Sequence, residues 1–116
     1  MEGKVTKISY NEKDDILFVY KKGRVKGNIM VGSFIIDISY RNEMIGMEVL
    51  NASESLEMFS ITKEMMKYAK SAKLVNRKNA DGIFFFGFEI LSTIPNKDRI
   101  EKTAIVAMPE ISSSTT

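Results

Sequence analysis

The chain has 116 residues, 44% hydrophobic and 28% charged, with a net charge of +2, the balance of one globular domain with one core and too short for two. It contains neither cysteine nor histidine, which excludes disulfides, thiolate metal sites and both Ser-His-Asp and Cys-His catalysis. No apolar run approaches the roughly 18 residues of a membrane span, and Met1–Lys4 open into a strand-like pattern without a signal segment, so a cytoplasmic protein off the membrane is expected.

The elements read in chain order as follows. Residues 4–10 predict a first strand, 11–14 a polar turn and 15–21 a nearly continuous apolar strand, together a hairpin. Lys22-Gly23-Arg24 reads as a turn in which Gly23 is free to take positive φ. Val25–Val31, rich in glycine and charge, suits a sheet edge. Two further strands follow at 34–38 and 44–51, separated by the turn Tyr40-Arg41-Asn42-Glu43.

Ser53 is placed to cap a short helical turn reaching Phe59, and Ser60 or Thr62 to cap the helix after it. That helix is predicted over 63–72, where Met65, Ala69 and Ala72 lie on one stripe with Ile61 and the lysines lie opposite. The methionines Met58, Met65 and Met66 are read as packing it against a sheet. Strands are predicted at 73–78, 83–91 and 100–108, with a strong turn at Asn79-Ala80-Asp81-Gly82 and with Pro95 barring a central strand around it.

The expected fold is therefore α+β. It has one bent, mainly antiparallel sheet of six or seven strands, arranged as a strand meander, one helix and three strands, with the helix on a face. Residues 1–109 form the expected domain and 110–116 a flexible Ser/Thr tail.

The run Tyr10-Asn11-Glu12-Lys13-Asp14-Asp15-Ile16-Leu17-Phe18-Val19 resembles the opening of the YuzE-like family of small domains of unknown function. A second signature of that family is matched by Asp37, Asn42 and Gly46-Met47-Glu48-Val49-Leu50-Asn51-Ala52-Ser53. The resemblance covers about residues 8–53, with Asn11 in place of the usual Asp and Asn42 in place of the usual Gly. It implies no chemistry to carry over. Some members are thought to sit beside suspected toxins, which implies a protein partner.

Three groups of side chains have a candidate chemistry. Asp15, Asp37 and Glu48 could hold a divalent cation for a hydrolase or act as an acid/base pair, or could serve as turn and cross-strand residues. Lys63, Lys67, Lys70, Arg77 and Lys78, with Lys21-Lys22-Arg24-Lys26 and Lys73, could bind nucleic acid if they merged, or could be solvated and edge charges. Lysine outnumbers arginine, which argues against a dedicated base-reading surface. Phe84, Phe86 and Phe88 share a strand face that is core or subunit interface, and Ile83 and Phe85 make the strand apolar on its other side too.

One short helix cannot cover so much apolar strand, so a homodimer is expected. The leading function is a non-catalytic interaction module binding another protein or itself, with no cofactor. A nucleic-acid-binding accessory protein is second, and a carboxylate-site metal hydrolase is third.

Overall fold

A computed structural model describes residues 6–108. Residues 4 and 5 of the expected first strand and the expected tail at 110–116 lie outside the described residues. Five strands come first: β1 (Thr6–Asn11), β2 (Ile16–Lys21), β3 (Val25–Val31), β4 (Phe34–Ser39) and β5 (Met44–Val49). Two short helices follow, α1 (Ala52–Ser55) and α2 (Lys63–Lys67), with a 3-10 turn over Glu57–Phe59 between them. Three long strands, β6 (Ala69–Lys78), β7 (Phe84–Thr93) and β8 (Arg99–Ala107), complete the fold.

The architecture is antiparallel sheet with little helix, as expected in outline, but its layout corrects the expectation. Among the described residues, eight strands form two sheets rather than six or seven forming one. The first sheet runs β1-β2-β5-β4-β3 and the second β6-β7-β8. The first five strands are not a meander, because β5 inserts between β2 and β4 in a Greek-key order. Gly23 has no positive φ, since the link it belongs to crosses the ends of two strands instead of turning back.

Alternation sorts each strand cleanly. Two rows cross the inner face of the first sheet: Val31, Phe34, Val49, Leu17 and Tyr10, then Ile29, Ile36, Met47, Val19 and Ile8. Leu17, Val19, Ile36 and Val49 are fully buried. Each such side chain contributes about 1.5–3 kcal/mol. The cover is the second sheet, whose inward side chains Ala72, Leu74, Phe86, Phe88, Ile90 and Ala104 join the same core. Leu56, Ile61 and Met66 from the helical stretch close one end. The inner face is therefore covered within one chain, and the need for a second subunit on that face disappears.

The helix predicted over 63–72 stops at Lys67, and Ala69 begins β6. Thr62 caps its start by accepting from the Met65 amide at 3.2 Å. Its end is set by β7, where the Ser92 hydroxyl donates to the Met65 carbonyl at 2.6 Å and the Thr93 amide to the Tyr68 carbonyl at 3.2 Å. Beyond that point the period is two, with Ala72 and Leu74 paired to Ile90 and Phe88. Ladder pairing along ten residues outweighs a weak helical stripe.

β7 is the spine of the second sheet and is paired on both edges. Gly87 lies so close to β8 that a Cβ there would stand 1.9 Å from the Ala104 carbonyl oxygen. Gly87→Ala must push β8 away, at a cost near the upper end of the roughly 1–3 kcal/mol typical of overpacking. Phe88→Ala, at a fully buried position, should cost about 3–5 kcal/mol. Denaturant unfolding of both variants measures these costs, and an unchanged midpoint for Gly87→Ala would contradict the close approach.

Candidate functional site

The carboxylates expected to cluster fall into two separate places. Asp15 ends the β1–β2 turn with φ of 56°. Its Oδ1 accepts from the Tyr10 hydroxyl at 2.6 Å and the Ser53 amide at 3.1 Å, and its Oδ2 accepts from the Ser53 hydroxyl at 2.7 Å. Its carbonyl also accepts from the Ala52 amide at 2.9 Å. Burial pulls the Asp15 pKa up, but the bonds from Tyr10 and Ser53 and the charge of Lys63 outweigh it, so the net shift is downward. The Tyr10 phenol moves up, through burial first and then its bond to the Asp15 carboxylate.

This network is a clasp between the first hairpin and the chain leaving β5. Ser53 was expected to cap α1. Instead Asn51 is the N-cap residue, in the left-handed region with φ of 49° and no side-chain cap bond, and the Ser53 hydroxyl goes to Asp15. Tyr10 and Ser53 are the partners that local reading missed: Tyr10 reaches Asp15 across the β1–β2 turn, five residues on, and nothing in a strand pattern points to Ser53, 38 residues away.

Asp37 and Glu48 do meet, on the outer face of the first sheet, on β4 and β5, the next two strands beyond β2, and away from Asp15. Asp37 pairs with Gly46 and Glu48 with Ile35, which sets the two carboxyls diagonally across the β4–β5 hairpin. A Cβ on Gly46 would stand 3.0 Å from Asp37 Oδ2, so the glycine makes room for the carboxyl. Burial raises both pKa values. Glu48 is raised further by the Asp37 charge and by donating the hydrogen bond that Asp37 accepts. Burial and their proximity thus make both carboxyls harder to ionise than exposed ones, Glu48 through the Asp37 charge as well. Among the described residues no three acidic side chains converge as a metal-binding group.

The five basic candidates are dispersed. Lys67 pairs with Glu12 at 3.9 Å and Lys63 acts on Asp15. Lys70 is exposed near the start of β6. Arg77 and Lys78 lie at its far end on opposite faces, Lys78 with its ammonium 5.3 Å from the centre of the Phe84 ring. Of the aromatic candidates, Phe86 and Phe88 are buried in the core, while Phe84 is 42% exposed and stacks on Phe86 at 6.1 Å.

No family model matches the chain. It is similar to Uncharacterized protein MJ0789 of Methanocaldococcus jannaschii, with 30% identity over 71 residues. The match covers 59% of this chain and 61% of that protein, so it spans under two thirds of the relative's length. No solved structure matches significantly.

The two carboxylate environments give opposite pH dependences. Asp15 is lowered on folding, so its contribution is present above its unfolded value and is lost as pH falls through the lowered one. Asp37 and Glu48 are raised, so their contribution is present in acid and is lost as pH rises through the raised values. Glu48→Gln should therefore be more stable than the parent at neutral pH and lose that advantage in acid. Asp15→Asn should lose about 1–3 kcal/mol at neutral pH, with the loss fading in strong acid. Urea midpoints from neutral to strongly acid pH separate the two; a Glu48→Gln variant weaker than the parent at neutral pH would contradict the assignment.

Proposed function

We propose that the chain is a non-catalytic, cytoplasmic interaction module that pairs with protein, in the first instance with a second copy of itself, through the outer face of the five-stranded sheet. One observation carries this reading. Side by side on that face run Met30, Ile35, Glu48 and Phe18 in one row, and Asn28, Asp37, Gly46 and Tyr20 in the next. Tyr20 is 41% and Met30 64% exposed. The apolar side chains flank the carboxyl pair, whose raised pKa values lower the cost of neutralising it when this face is covered.

No described helix is long and apolar enough to cross a membrane, which accords with a partner in solution. Kinship with the YuzE-like family belongs to the same reading. Its pattern residues Tyr10, Asp15 and Ser53 form the clasp, and Asp37, Gly46 and Glu48 form the outer-face cluster. Asn42, at the pattern's glycine position, has φ of 59°, a conformation that glycine and asparagine tolerate. These coincidences support the kinship and, through it, a protein partner.

Sedimentation velocity at micromolar concentration tests the pairing. The parent should sediment as a dimer, and a Tyr20→Lys, Met30→Lys double variant as a monomer with an unchanged circular-dichroism spectrum. A monomeric parent, or a dimer indifferent to both substitutions, would overturn pairing through this face.

A further inference from the structure

The end of the first sheet where β2 hands over to β3 holds a second surface, on the other side of β2 from the proposed pairing face. β5 and β4 separate β2 from β3, so Lys22-Gly23-Arg24 must bridge three strand spacings. At about 4.8 Å each these total roughly 14 Å, the full reach of four extended residue steps. The link is therefore drawn taut across the end of the β4–β5 hairpin. This sets the Arg24 guanidinium 5.4 Å from the centre of the Tyr40 ring.

Beneath the link lies an open cleft of about 750 Å³, floored in part by Leu74 and Asn76 of β6. Lys21, Lys22, Arg24 and Arg41 line it, and Glu43 is the single carboxylate among its lining residues. Those charges sum to +3, more than the +2 of the whole chain. The three ion pairs among the described residues use Lys67, Lys97 and Arg99, and none uses these four cations. Tyr40, at the rim, is 63% exposed.

We infer that this cleft binds single-stranded nucleic acid, with phosphates on Lys21, Lys22, Arg24 and Arg41 and a base stacked at Tyr40. Several cations spread along an open slot suit a run of phosphates better than one isolated anion. An exposed ring beside them is a platform for any base. A concave slot also accepts a flexible single strand, whereas reading a duplex requires a projecting helix or ribbon that enters its groove.

Fluorescence anisotropy with a labelled oligo-dT tests the site on the intact chain. Four phosphate contacts predict affinity falling with salt at a log–log slope of about −3, from about −0.7 per contact on single strands. Lys22→Gln and Arg41→Gln should each reduce that slope by about 0.7. Tyr40→Ala should weaken binding about tenfold, at the lower end of what losing one stacked base costs. Lys63→Gln with Lys67→Gln, at the opposite end of the sheet, should change neither. Three results would overturn the inference: no binding at low salt, equal loss from the Lys63/Lys67 control, or competition by a mononucleotide or a duplex as effective as that by the strand. Because the cleft and the pairing face share none of the substituted residues, failure of one reading leaves the other standing.

Discussion

The structure depends on β5 being hydrogen-bonded along both edges, to β2 on one side and β4 on the other. A meander would have placed β2 beside β3 and left β5 at an edge. Inserting β5 instead places its inward side chains Met47 and Val49 at the centre of the inner rows, where both are buried. It brings Asp37 and Glu48 to the middle of the outer face and forces the β2–β3 link across the hairpin. It also delivers the chain leaving β5 to the turn that holds Asp15, whose carboxylate takes up the Ser53 amide and hydroxyl. The clasp, the carboxyl pair and the basic cleft are three consequences of one strand's position.

The second sheet solves a problem of area. The five-stranded sheet presents two full rows of apolar side chains on its inner face, and α2, with only five residues, cannot cover them. β6 to β8 supply a second apolar face, and one buried cluster then joins both sheets. With typical domains stable by only about 5–15 kcal/mol, burying several side chains worth about 1.5–3 kcal/mol each makes this cover a condition of folding. Gly87 shows how closely the cover is itself assembled, since β8 occupies the space where a Cβ would project.

Strands were the legible part of the sequence, because period-two alternation survives any sheet order. The turns at Asn79–Gly82 and around Pro95 were legible for equally local reasons: Asn79 Oδ1 accepts from the Asp81 and Ile83 amides, and β7 ends at Thr93. The helix was overdrawn because Ala69 and Ala72 fit a helical stripe and a strand equally well, and only the pairing with β7 decides between them. Sheet order is a choice among long-range partners that alternation does not encode. For that reason the Asp37–Glu48 proximity, set by one hairpin, could be anticipated, whereas the Asp15–Ser53 contact and the juxtaposition of Arg41 with Lys21, Lys22 and Arg24 could not.

The two surfaces lie on opposite sides of β2 for the simplest of reasons. Tyr20 and Lys21 are adjacent in a strand, so their side chains leave the sheet in opposite directions. Tyr20 shares the outer face with Gly46 and the carboxyl pair, and Lys21 shares the side of Val19 and borders the cleft. A protein covering the outer face therefore need not occlude the cleft. Charge divides along the same boundary: the outer face carries an acidic pair, while the cleft carries more positive charge than the entire chain. A net charge of +2 is by itself an objection to a polyanion partner. The fold removes that objection by concentrating the cations at one end of the sheet, where the local field, rather than the chain's total, decides which anions gather.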